Sequence, residues 1–418
     1  MRGRTRILAG AAVLALVAAA CGDDDDDEAE APEEEAEAPA DGEEPTGEPI
    51  TIGVLTSITE EFSPWGLQVR DGMQLAVDDI NAEGGVDGRP LELEIADDQN
   101  VPEEGVSGIE GLIEEEVVAI GGVISSAVGA ATAPIAEDAE TPLFLVKAGS
   151  EAILTRDSRY TFRTCLPAAP MVAGPIAQFA EEEGLTRVGA IIADYAWGQA
   201  FAAAAEEEFD ALEGVELQLE TAPVEEQDFT PFLRNLQEFD PELLLATGHP
   251  PGSGPITVQS QDLGLDVDVT GAWSVLPLVV EGAGDAATGR YADFDCADYE
   301  SEEYQELARR YLEMSENTFM DDDAVAGYGI VTMVAQAVEE VGDDPVAVAE
   351  YLHEQTFDDL PGYAFDMSWT DWGELATAQP IFTVIGEGPA PEGVNEGGDW
   401  YPETLSQSEP LEPFEPAE

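Results

Sequence analysis

The sequence predicts an α/β protein of two lobes, each a parallel sheet flanked by helices. Three observations carry that prediction. Short apolar runs rich in β-branched residues alternate with longer segments whose apolar residues recur at helical spacing. The alternation occurs twice, in series of similar size on either side of Pro167. Hydrophobic residues make up 44% of the chain, with 15 Phe, 10 Tyr and 6 Trp, so cores can form despite an extreme charge.

The first series opens with the apolar run 50–56. A helical segment, 66–83, follows with Val69, Met73, Ala76, Val77 and Ile80 on one stripe, and Gly84-Gly85 stops it. Leu91, Leu93 and Ile95 alternate as a strand. A helix over about 103–116 leads to a strand at 117–122, and one over about 130–140 leads to 143–146. That order is βαβαβαβ, whose right-handed crossovers place helices on both faces of a parallel sheet. The second series pairs helix 171–183 with strand 188–193, helix 199–212 with 215–219, helix 229–239 with 243–247, and helix 255–263 with 267–270. Helical patterns return at 302–314, 324–341 and 345–355, before a β-rich ending that includes 381–385. Those late elements must return to one lobe or the other, so the chain crosses between them several times. Ligands in such sheets sit beyond the carboxyl ends of the strands, beside helix N-termini. The loops to watch are therefore 56–65, 122–127, 147–150, 194–198, 248–254 and 271–273.

The ends of the chain read differently. Arg2, Arg4 and Arg6 precede an apolar stretch, 7–17, and then Ala18-Ala19-Ala20-Cys21. This is an export signal, too short for a comfortable bilayer span. It is similar to a bacterial lipoprotein signal, cleaved after residue 20 so that Cys21 carries the lipid, with Ala18 where leucine is usual. Residues 22–49 hold 15 acids and no base, which suits an extended tether. Residues 387–418 hold nine acids, six prolines and no base, and read as a loose acidic Pro-rich tail.

Charge excludes whole classes of function. The chain has 91 Asp+Glu against 14 Lys+Arg, a formal charge of −77. Phosphate neutralisation is out of reach, so no nucleic-acid partner is expected, nor a polybasic membrane surface. The body alone keeps 67 acids and 11 bases, with Lys147 the sole lysine of the protein. Such self-repulsion is tolerable where salt shortens the Debye length to about 3 Å, which points to a salt-adapted extracellular protein. Two histidines, His249 and His353, and three cysteines leave little for zinc, haem or histidine-based catalysis. No nucleophile elbow, H-E-x-x-H or P-loop occurs. GAGDAA (282–287) meets a loose dinucleotide pattern without the strand-then-helix context. No enzyme activity, cofactor or metal is expected.

At the watched loops the sequence resembles the branched-chain amino-acid (Leu/Ile/Val-type) substrate-binding proteins of ABC importers. The likeness runs over about 50–386. It is carried by IGVLTSITEEFSPWGLQVRDGMQLAVDDINAEGGVDGRPLELEIADDQ (52–99), GGVISSAVGAATAPIAEDAETPLFLVKAGS (121–150), YTFRTCLP (160–167), ADYAWGQAFA (193–202), EEQDFTPFLRNLQEFDPELLLATG (225–248) and GAGDAATG (282–289). The resemblance implies a type I periplasmic-binding fold with three crossovers and a ligand clamped by closure of the lobes. It implies an N-terminal lobe of 50–165 plus 297–357 and a C-terminal lobe of 166–296 plus 358–386. The implied partners are a small amino acid-like, amide or carboxylate ligand and an ABC permease. The protein itself is expected as a monomer, touching the membrane only through its lipid. A ligand-sensing receptor of the same fold with a separate membrane partner is the alternative.

The resemblance also implies site residues. Ser125 matches the strand-end serine that meets a ligand carboxylate, with Ser126 and the helix amides behind it. Both serines also suit N-caps. Ala148 matches a backbone carbonyl for a ligand amine and Ser150 a hydroxyl. Trp65 and Trp197 match aromatics flanking the ligand, and Tyr328 completes the set. The loop at Gly248-His249 is a weaker match. Trp273 stands where the family often has the acid that pairs the ligand ammonium. Either Asp194, Asp323 or Glu60 replaces that acid, or Trp273 acts through cation–π attraction, or the ligand is not an α-amino acid. Lys147, beside Ala148, either favours an anionic ligand or faces solvent. With Cys21 lipidated, Cys165 and Cys296 lie on adjacent crossovers of the family fold, which implies a disulfide in an oxidising compartment.

Overall fold

A computed structural model of the chain describes residues 45–247, 252–395 and 399–417. The signal, Cys21 and nearly all of the acidic tether lie outside the described residues, as does the loop 248–251 with Gly248 and His249. Every element below belongs to one compact unit spanning Asp41–Glu418.

Two sheets form. The first is β1 (Ile50–Thr56), β2 (Leu91–Asp97), β3 (Ile120–Val123), β4 (Leu143–Leu145) and β5 (Thr161–Arg163), in the order β2-β1-β3-β4-β5 and parallel throughout. Its helices are α1 (Ser63–Ala82), α2 (Pro102–Glu114) and α3 (Ser126–Ala139). Both faces are buried. Ile52 and Val54 of β1 face the core shared with α1, while Leu55, Ile120 and Val123 pack with Ile109 and Leu112 of α2 and Val128 of α3. Burial on both sides is why the inner strands β1, β3 and β4 read as near-continuous apolar runs, while the partly exposed edge strand β2 alternates.

The chain then leaves for the second series: α4 (Ala169–Glu182), β6 (Arg187–Ala193), α5 (Ala196–Asp210), β7 (Glu216–Ala222), α6 (Thr230–Phe239), β8 (Leu243–Thr247), α7 (Ser253–Asp262), β9 (Asp268–Thr270), α8 (Leu276–Ala283) and β10 (Tyr291–Asp295). It returns to the first sheet with α9 (Glu302–Met314), α10 (Asp322–Val341) and α11 (Pro345–Glu354), and ends in β11 (Ile381–Glu387) and β12 (Trp400–Gln407). The second sheet runs β12-β11-β10-β9-β8-β6-β7. It is parallel from β7 to β10, and β11 and β12 join antiparallel. The sequence reading passes over the strands β5 and β10 and the helix α8.

Two expectations are corrected. The end of the chain is not loose: β12 pairs with β11, and a strap follows in which Ser408 N donates to Pro380 O at 3.0 Å and Leu411 N to Ala378 O at 2.9 Å. Leu411 and Phe414 pack on the core, and Arg156 pairs Glu415 at 2.9 Å. A few apolar residues in register with a paired partner outweigh an acidic, proline-rich composition. The segment after 357 also stays with the first sheet before it reaches the second. Trp369 stacks edge-on against Phe162 of β5 at 5.2 Å, and Arg163 N donates to Gly373 O at 3.0 Å.

Helix α10 lies against α1 closely enough that only glycine fits. A Cβ at Gly72 would sit 2.0 Å from Ala324 O, and one at Gly327 would sit 2.3 Å from Val69 O. This contact fixes the N-terminus of α10, Asp321 to Asp323, under the cleft. Cys165 and Cys296, on the first and second crossings between the sheets, are joined by a disulfide with their Cα atoms 5.4 Å apart. Constraining a loop of 131 residues in the unfolded chain is worth roughly 5 kcal/mol in the chain-entropy model.

Candidate functional site

The carboxyl ends of the strands of both sheets converge on one space. Phe62 and Trp65 come from the turn after β1 and the start of α1, Ile124 from the end of β3, and Lys147 from the end of β4. Leu166 comes from the first crossing, Tyr195 and Trp197 from the β6–α5 turn, and Ala272, Trp273 and Ser274 from the end of β9. Five of these ten lining residues are aromatic, which sets the chemistry of the walls. As the chain stands the cleft is shut. Phe62, from the first sheet, meets Tyr195, from the second, edge-on at 5.3 Å, and Trp65 at 5.2 Å. The remaining space is about 10 Å³ of water-centre volume, about one water molecule.

The three tryptophans carry the most informative feature. Trp65, Trp197 and Trp273 are 5%, 2% and 2% exposed, and none of their indole N–H groups has a hydrogen-bond partner. A buried donor left unpaired costs about 1–3 kcal/mol. Three around one cavity is more than packing alone produces. Trp197 lies over Gly149, where a Cβ would fall 2.3 Å from its Nε1. Trp273 has φ of 55°, a left-handed conformation that a bulky residue adopts only under constraint from its surroundings.

Beneath the cleft lies a buried ionic knot. Lys147 Nζ donates to Asp322 Oδ1 at 3.0 Å and Oδ2 at 3.2 Å, and to the Trp273 carbonyl at 3.0 Å, and it pairs Asp323 at 3.5 Å. Burial alone would lower its pKa, but Asp322, Asp323 and Asp321 outweigh burial and hold the ammonium above its ordinary value. Asp321, the N-cap of α10, accepts from Asp322 N, Leu276 N and Tyr299 OH. Asp293 accepts from Ser274 N at 2.8 Å, and Asp295 from Ala297 N at 3.1 Å. Burial, joined by mutual repulsion, raises these carboxyls: Asp321 to about 7, Asp293 to about 8, and Asp295 and Asp323 well above the ordinary range. Asp322 is raised too, with Lys147 opposing. One ammonium therefore pairs two of five neighbouring buried carboxyls, and burial favours the protonated form of the others.

A second buried pair braces the neighbouring loop. Arg163 pairs Glu374 at 2.9 Å and turns its other nitrogens to the carbonyls of Ala148 and Ser150, the latter at 2.7 Å. Ser150 N donates to Ser126 Oγ at 3.1 Å, which ties this loop to the N-terminus of α3. Ser125 occupies the N-cap position, yet its hydroxyl makes no capping bond.

The structure thus brings Trp65, Trp197, Trp273 and Lys147 together on the cavity wall, with Ser125, Ser126, Ala148 and Ser150 in the loops beside it. Four expectations change. Lys147 neither faces solvent nor stands free for a ligand, because carboxylates of α10 enclose it. The Ala148 carbonyl is not open to a ligand amine, since Arg163 occupies it. Asp194 is exposed and accepts from Gln199 at 2.9 Å. Tyr328 points at Asp79, on α1, at 3.0 Å, away from the cleft. The sequence reading missed Phe62, Tyr195, Ile124, Ala272, Leu166 and Ser274. The first four lie in loops it marked, and for Phe62 and Tyr195 an aromatic just before a helix at a strand end was the available signal. It also missed Asp321, Asp322, Asp293 and Arg163, which only the crossings bring near.

The family profile described as periplasmic binding protein matches residues 49–386. A leucine-, isoleucine-, valine-, threonine- and alanine-binding protein of Pseudomonas aeruginosa is 25% identical over 348 residues, covering 79% of this chain and 92% of the relative. Among solved structures, an ABC transporter substrate-binding protein from Sphaerobacter thermophilus superposes with a TM-score of 0.74 at 25% identity, over 87% of this chain and 99% of that one. A solute-binding protein of an ABC transporter from R. palustris, in complex with benzoate, has the same fold, with a TM-score of 0.74 at 18% identity, over 88% of this chain and 98% of that one.

Proposed function

We propose, from the premise that this chain belongs to the periplasmic binding protein family, that it is an extracytoplasmic receptor that captures a small solute between its two sheets and hands it to an ABC importer. The observation that carries this is the cavity itself, walled by strand ends of both sheets and closed by Phe62 against Tyr195. Closure of this kind needs no reacting group, only a ligand that binds the shut arrangement better than the open one. The named relatives bind amino acids in one case and benzoate in another, so the class of solute is a question for the cleft residues.

Among the described residues no helix is long and apolar enough to cross a membrane. We assign attachment to a lipid on Cys21, with the acidic stretch 22–49 as tether, and the acid excess to life in high salt. The capture reading is tested by scattering and thermal shift in molar NaCl against a panel of amino acids, amides and small carboxylates. A hit that raises Tm and compacts the particle supports it; a panel with no hit removes it. Cys21→Ser, expressed in a lipoprotein-processing host, is expected to release the protein from the membrane fraction.

A further inference from the structure

The cleft wall carries unpaired donors and no carboxylate. Its polar side-chain groups are three unpaired indole N–H groups and the Tyr195 hydroxyl, with the Lys147 ammonium and the Ser274 hydroxyl already engaged. No carboxylate lines it among the described residues, and the loop 248–251 contains no acid that could reach in. The carbonyls and the hydroxyl nearest the cavity that could have received a ligand ammonium are taken. Lys147 holds the Trp273 carbonyl and the α10 carboxylates, Arg163 holds the Ala148 and Ser150 carbonyls, and Ser274 Oγ is bonded to Tyr291 at 2.6 Å. A ligand ammonium would find no carboxylate on the wall to pair with, a cost that counts against it. A carboxylate would find the unpaired indole donors. Trp197 Nε1 lies over Gly149, in the loop bonded to Ser126 at the start of α3, where the Ser125 hydroxyl is unused by the helix. The body of the solute would lie among Phe62, Trp65 and Trp273, whose flat faces fill the shut cleft.

We propose that the cleft selects small carboxylates with a planar apolar body and no ammonium group, read by the indole N–H groups of Trp65, Trp197 and Trp273. This rests on the solute-capture reading above and names the class of solute. Of the three alternatives left by Trp273 it takes the third: Glu60, Asp194 and Asp323 do not line the cavity, and the Trp273 carbonyl is already bonded to Lys147.

The test is calorimetry, with tryptophan fluorescence, on the purified protein in molar NaCl. Benzoate, 4-hydroxybenzoate and phenylacetate are compared with phenylalanine, leucine and benzylamine. At least one of the carboxylates is expected to bind and change the indole fluorescence, with phenylalanine and leucine weaker by about a hundredfold or more and benzylamine silent. Trp197→Phe keeps a ring and removes the donor, and should weaken that carboxylate about tenfold at unchanged Tm. Trp273→Phe serves as the second variant should Trp197→Phe lose its fold. Leucine or phenylalanine binding as tightly as the carboxylates would overturn the proposal while leaving solute capture intact. So would full affinity in both indole variants. Silence from all six compounds would overturn it as well, and the wider thermal-shift panel then decides whether capture itself survives.

Discussion

The acids of this protein live in two settings, and the contrast explains much of its behaviour. On the outside they meet water and a few arginines, as in Arg89–Asp343 at 2.7 Å, Arg290–Asp266 at 2.8 Å and Arg156–Glu415 at 2.9 Å, all partly exposed. Such pairs are worth about 0–1 kcal/mol and fade with salt. Under the cleft, Lys147 pairs Asp322 and Asp323, with Asp293, Asp295 and Asp321 buried close by. There the same residue type is held by protons, backbone N–H groups and one fixed cation. Outside, charge is a matter of ionic strength; inside, it is a matter of pH and of one side chain.

The sharpest way to break the contrast is Lys147→Met. Removing the cation leaves Asp322 and Asp323 without their partner, and the expected loss is about 3–5 kcal/mol in guanidinium unfolding. The loss should persist in molar NaCl, because the pair is buried, and should shrink as pH falls and the carboxyls, raised above their ordinary range, take up protons instead.

Acidity is the next lever. Asp293 and Asp321 have folded pKa values of about 8 and about 7 against an ordinary 3.8, so between those values the folded chain binds more protons than the unfolded one. Stability therefore falls as pH rises, by up to about 1.4 kcal/mol per unit for each group, from about pH 4 until about pH 7 for Asp321 and about pH 8 for Asp293. Lys147, raised above its ordinary value, keeps its contribution throughout that window and loses it only at higher pH. Tm against pH at fixed high salt should fall over that range; a curve rising toward neutrality would contradict the knot.

Smaller effects sharpen the outer half of the comparison. Deleting 408–418 removes two backbone–backbone hydrogen bonds, the bonds that Trp372 and Arg156 give to the Phe414 and Pro416 carbonyls, the Arg156–Glu415 pair and the partial burial of Leu411 and Phe414, while also removing acids. The expected net loss is about 1–2 kcal/mol in chemical unfolding, because packing outweighs the relief of repulsion. Arg89→Ala should cost no more than about 0.5 kcal/mol in dilute buffer and nothing measurable in molar NaCl, while Tm of the parent rises with salt.

Periodicity made the regular elements legible. The helical stripe of α1 and the β-branched runs of β1, β6 and β8 are local properties, and local spacing suffices to read them. The loops at the strand ends were legible too, since their place follows from a parallel sheet, and four of the residues singled out there, Trp65, Lys147, Trp197 and Trp273, do wall the cavity. Their roles were less legible. Lys147 was set beside Ala148 by chain order, but its partners sit 175 and 176 residues further along, and only the packing of α10 on α1 through Gly72 and Gly327 delivers them.

The sequence by itself determined the class of fold, the pair of sheets, the position of the cleft at the strand ends and the excess of acid. These depend on patterns a few residues long or on composition. Tertiary structure alone decided that the acidic end would form β12 and a strap, and that Arg163 would close the Ala148 carbonyl. It also decided that Lys147 would pair Asp322 and Asp323 beside further buried acids while three indole donors went unpaired. Each of those facts joins residues far apart in the chain, and their ionisation and hydrogen bonding depend on which neighbours arrive once water has left.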